Sequence, residues 1–161
     1  FFAIFFHQKY YSDRKKARDF FNENQVLLNQ ALNTFYSCPI AYIASEPSIK
    51  YKNVPTSIQK DGLYVLPEAN APEEEIDRAV AAVARLYEGL KQQESATYSD
   101  YSESTLNFCI RKKGSHVWTV QVKSVGWGAK QTLFFSPDGK TRELERVAFF
   151  PPKKIAESWF V

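Results

Sequence analysis

A chain of 161 residues, 44% apolar and 16% aromatic, holds material for one packed domain; two would each be near the size where cores become marginal, and so aromatic a chain is not a disordered one. Its 21 basic residues nearly balance 18 acidic ones, leaving a net charge of +3, so no global field calls for nucleic acid or anionic lipid. Two cysteines, Cys38 and Cys109, are too few for a disulfide scaffold and lack metal-ligand spacing; they can pair across the fold or stay thiols.

The opening run, Phe1 to Phe6, is far short of the roughly 20 apolar residues that cross a bilayer. Two readings stand for residues 1–11. They are the tail of a membrane helix, with Phe1, Phe2, Phe5 and Phe6 in the apolar layer. Tyr10 and Tyr11 then sit at the interface, with Arg14, Lys15, Lys16 and Arg18 beyond them. Alternatively, the same aromatics form an N-terminal helical turn or strand packed on the core. The first reading makes the protein membrane-associated, on a side the sequence does not fix.

Residues 12–161 read as a single α+β domain. From Ser12 to Tyr36 small and apolar positions recur every three or four residues (Ala17, Phe20/Phe21, Leu27/Leu28, Ala31, Phe35), the pattern of an amphipathic helix. Ser12 is placed to cap it and Pro39 to stop it. Ile40 to Ala44 and Leu63 to Leu66 read as short strands, separated by a loop rich in Pro and Ser and a turn at Asp61-Gly62. A second helix starts at Pro72-Glu73-Glu74-Glu75, where carboxylates meet the positive end of the helix dipole. Ile76, Val80, Val83, Leu86/Tyr87 and Leu90 give it one apolar stripe, and it ends near Gln93. A polar tract, Ser95 to Ser102, follows.

Beyond Glu103 the period changes to two. Leu106, Phe108 and Ile110 alternate with polar neighbours, as do Trp118, Val120 and Val122. A three-residue loop, Lys113-Gly114-Ser115, sets Ile110 opposite Trp118, Phe108 opposite Val120 and Leu106 opposite Val122, with Gly114 or Ser115 at positive φ. The sheet continues past a bulge at Gly126-Trp127-Gly128 to Thr132–Phe135, a turn at Ser136–Gly139 and a return at Glu145–Phe150; the tail from Lys153 folds as a helical turn. The expected architecture is a long first helix and a second amphipathic helix on one face of a mainly antiparallel sheet that ends in a four-stranded meander.

Chemistry finds little footing in this pattern. His7 and His116 are the two histidines, and the strand register sends Cys109 to the face of Asn107 and Arg111, away from a His116 that shares parity with Trp118. Glu73, Glu74 and Glu75 point in different directions around their helix and suit dipole capping, not a metal. No CxxC, HExxH, Walker A or Rossmann glycine pattern occurs, so neither a metal nor a nucleotide cofactor is expected. Trp127 between two glycines is a candidate partner contact.

These observations point to a non-catalytic protein-interaction domain, the soluble part of a single-pass membrane-anchored protein such as an immunity or inhibitor protein or an envelope-assembly subunit. A protein is the expected partner and nucleic acid is not. The outline also looks like that of type IV pilins and pseudopilins, with an N-terminal Phe, a long first helix and a late antiparallel sheet. Those proteins carry an apolar run of membrane length with glutamate fifth, where this chain has Phe5, and they lack the second long helix. The resemblance implies a filament subunit as one alternative; an enzyme of unknown class is another.

Overall fold

The structure, a computed structural model, describes residues 2–46, 58–97, 106–114, 116–124, 130–138 and 152–161, with side chains of the first helix from residue 14 onward. Two helices pack on one side of an eight-stranded antiparallel sheet. In chain order the elements are α1 (Phe2–Phe35), β1 (Ile40–Ala44), β2 (Ile58–Lys60), β3 (Leu63–Pro67), α2 (Glu73–Thr97), β4 (Asn107–Lys112), β5 (Trp118–Lys123), β6 (Gln131–Phe135), β7 (Lys154–Ala156) and β8 (Trp159–Phe160). The strands lie in the order β2-β3-β1-β4-β5-β6-β8-β7. The expected α+β arrangement is the one found.

Helix α1 is helical back to Phe2, so Ser12 lies inside it and not at its start. Its interruption is Asn24, at φ −119° and ψ 17°. The buried Asn24 side chain donates from Nδ2 to the Phe20 carbonyl at 3.0 Å, a local bond of the kind that competes with helix and bends it. Helix α2 opens on its three glutamates as expected and runs past Gln93 to Thr97.

One core lies between helices and sheet. Phe21, Leu28, Leu32 and Phe35 of α1 and Val80, Val83, Leu86 and Leu90 of α2 meet Ile43, Val65, Ile110, Val120, Leu133 and Phe135 of the strands. Helix α2 contacts β1 and β3 while α1 contacts β6, so each helix roofs one half. A bulge between Ile40 and Tyr42 in β1 breaks the two-residue alternation, and both Ile40 and Ile43 therefore reach this core.

The hairpin β4–β5 corrects the expected register. Ile110 faces Val120, Phe108 faces Val122 and Lys112 faces Trp118, two residues away from the sequence reading. The loop shifts by one residue to the stretch between Lys113 and Val117, closed by Lys113 N–H donating to the Val117 carbonyl at 2.6 Å. Gly114 holds the positive φ, 88°. A slip of two preserves the faces, and Leu106, Phe108, Ile110, Trp118, Val120 and Val122 are all buried as anticipated.

Two further differences lie at the sheet edges. Ile58–Lys60, read as the end of a loop, is strand β2, joined to β3 through Asp61 (φ 51°) and Gly62 (φ 78°), the positive pair of a tight hairpin turn. The tail is no helical turn. It is the hairpin β7–β8, and Phe160 and Trp159 of β8 pair with Phe134 and Phe135 of β6. The expected return strand Glu145–Phe150 and the bulge at 126–128, Trp127 included, lie outside the described residues.

Candidate functional site

Because the helices take one face of the sheet, the polar half of each strand's alternation falls on the other. Leu66, Tyr42, Arg111, Thr119, Phe134 and Phe160 form one cross-strand row on this far face. Ala44, Cys109, Gln121 and Thr132 form the next, and Asn107 with Lys123 begins a third. Lys130 immediately precedes β6 and lines the same groove as Lys123. At one end of the face Val117, Phe134 and Phe160 make a small apolar cluster.

These rows line a groove of ≈ 360 Å³, bounded by Tyr42, Glu46, Asn107, Cys109, Arg111, Gln121, Lys123 and Lys130. Among the described residues three cations stand against one carboxylate, and that carboxylate already accepts from Asn107 Nδ2 at 3.3 Å. The Arg111 guanidinium lies over the Tyr42 ring, 5.7 Å from its centroid. Its Nε is buried and has no hydrogen-bond partner among the described residues. A buried unsatisfied donor costs about 1–3 kcal/mol. Arg111 and Lys123 sit four pairs apart in the β4–β5 ladder, about 13 Å at ~3.3 Å per residue. The cationic ends of the groove are therefore too far apart for one carboxylate to span.

Cys109 floors the groove. Burial pushes its thiol pKa up, against smaller opposing influences from Arg111, Tyr42 and Lys113. A thiol held protonated is a poor nucleophile. His116 is not its partner. Cys109 pairs with Gln121, three steps below the Lys112–Trp118 end of the ladder, about 10 Å short of it. His116 lies in the turn beyond, with Nδ1 2.7 Å from Asp138 Oδ2. Cys38 belongs to the helix-side core and Cys109 to the far face; the sheet separates them and both are free thiols.

The acidic block at the start of α2 is tied to the neighbouring hairpin: Lys60 Nζ reaches Asp77 at 2.6 Å and Glu73 at 3.4 Å. The Asp77 hydrogen bond is the first cause of a raised Lys60 pKa. Among the described residues no three His, Cys, Asp or Glu side chains gather as metal ligands.

The basic residues of α1 divide. Arg14, Lys15 and Arg18 line a second cleft of ≈ 240 Å³ together with Lys153, Ile155 and Val161 from the tail hairpin, while Lys16 is exposed outside it. Side chains of Phe2, Phe5, Phe6, Tyr10 and Tyr11, and all of Phe1, lie outside the described residues. Among the described residues no helix is long and apolar enough to cross a membrane.

Two polar residues escaped the sequence reading. Glu94 is buried and accepts from the Ser124 hydroxyl; its signal was position, four residues after Leu90 on the same stripe. Asn29 accepts from the Trp159 indole N–H at 2.7 Å, and no local pattern marks it. Compared with protein-family models, with characterised proteins and with solved structures, the chain matches none.

Proposed function

We propose that this chain is a non-catalytic protein-interaction domain that takes an extended acidic segment of its partner along the far face of the sheet. The observation that carries the reading is the groove's charge layout: Arg111 at one end, Lys123 and Lys130 at the other, and among the described residues one carboxylate, Glu46, already engaged by Asn107. Carboxylates four residues apart on an extended chain span the same ~13 Å. Tyr42 offers such a segment an aromatic wall, and aromatic and arginine side chains are enriched at protein contacts. An inhibitor protein or an assembly subunit, the roles named from sequence, would each use a surface of this kind.

The test is a titration of isotope-labelled protein with the capped pentapeptide Glu-Ser-Thr-Ser-Glu, followed by amide chemical shifts. Movements confined to β1, β4, β5 and the start of β6, and absent with the Gln-Ser-Thr-Ser-Gln analogue, are expected. Equal movements with both peptides, or none, would remove the proposal.

A further inference from the structure

The second cleft joins residues that the sequence holds far apart. Arg14, Lys15 and Arg18 come from one turn and a half of α1, and Lys153, Ile155 and Val161 come from the tail hairpin folded against it. Arg14, Lys15 and Arg18 bring three cations from α1, and Lys153 adds a fourth across the gap. No acidic side chain lines the cleft among the described residues. Such a concentration of one sign is stabilised by a bound anion. The floor is a different matter: Ile155 and Val161 are apolar. A bare inorganic anion has no use for that floor, whereas the first methylenes behind a charged headgroup do.

We infer that this cleft seats the anionic headgroup of a membrane lipid. The fold supports the geometry. From Arg14 the α1 backbone continues as helix to Phe2, which carries the Phe-rich segment about 12 Å and more beyond the cleft at 1.5 Å per residue. Basic groups one short helical stretch from aromatic residues fit the layering of a bilayer surface. Burial lowers the Arg14 pKa below its ordinary value. Contact with headgroups requires no spanning helix. This surface is separate from the far-face groove, so either reading can fail alone.

The experiment is sedimentation of the protein with vesicles of phosphatidylcholine, with and without phosphatidylglycerol. Two variants of equal charge change are compared, Arg18→Glu/Lys153→Glu in the cleft and Arg85→Glu/Lys91→Glu on α2. The wild type should bind only the anionic vesicles. The cleft variant should bind at least tenfold more weakly, and the α2 variant should stay within about twofold of wild type. Circular dichroism on each variant confirms that the fold is intact before binding is compared. Equal losses in both variants would reduce the effect to net charge and overturn the inference, as would no binding to anionic vesicles. Release by inorganic phosphate beyond that given by chloride at equal ionic strength would move the ligand to free phosphate and also overturn it.

Discussion

Truncating Trp159 to alanine tests whether the last ten residues belong to the core. Trp159 is fully buried, with its ring centroid 5.2 Å from that of Phe21 and 5.0 Å from that of Phe135. Its indole N–H bonds Asn29 at 2.7 Å. Removing a buried aromatic of this size costs about 3–5 kcal/mol in lost transfer energy and cavity. In a domain of this length each kcal/mol lowers Tm by about 2–4 °C, so Trp159→Ala should melt about 6–20 °C below wild type in a calorimetric scan. The hydrogen bond can be isolated with a double-mutant cycle of Trp159→Phe and Asn29→Ala, where a coupling of about 0.5–1.5 kcal/mol is expected. A drop of under 2 °C for Trp159→Ala would mean that the tail is peripheral and that the β6–β8 pairing does not anchor it.

Two further predictions concern the helix contact and the groove floor. A Cβ built on Gly89 would stand 2.6 Å from Leu27 Cδ1, so in Gly89→Ala the helix gain of about 0.8–1 kcal/mol is offset by displacement of Leu27. In a Leu27→Ala background the same change should recover that gain, read from urea midpoints; an identical effect in both backgrounds would refute the contact. For Cys109, burial raises the thiol pKa above its ordinary 9.0. Between that value and the folded-state one the unfolded chain ionises while the folded chain does not, so stability falls as pH rises through this window. Cys109→Ser should lose that part of the alkaline fall, and thiolate absorbance in the folded protein should rise only above the ordinary value; a midpoint at or below it would contradict the burial.

What could be read from the chain follows from how local each signal is. The stripes of α1 and α2 and the alternation at 106–110 and 118–122 depend on period alone, and they placed every one of the six inner-face residues. Register did not follow, because a slip of two leaves the faces unchanged; only the Lys113–Val117 closure decides it. The tail hairpin was missed for another reason. Lys154–Ala156 and Trp159–Phe160 are too short for periodicity, and their pairing depends on β6, far away in sequence. Ser158 (φ 69°) supplies the turn without a glycine to announce it. The far-face groove was legible in part. Parity put Cys109, Asn107 and Arg111 together, but the convergence of Lys123, Lys130, Tyr42 and Glu46 needed the strand order. Likewise, three of the four cations of the α1 cleft were visible as a cluster, and Lys153 joined them only through the tail.

The central claim is that binding resides in the charge pair at the end of the far-face groove, and Lys123→Glu/Lys130→Glu addresses it most directly. Both side chains are exposed, so the fold should be unaffected within about 0.5 kcal/mol. Fluorescence anisotropy of a labelled acidic pentapeptide should show affinity reduced at least tenfold, about 1.4 kcal/mol, with Lys15→Glu/Arg18→Glu unchanged. Equal affinities for the groove variant and wild type would contradict the account.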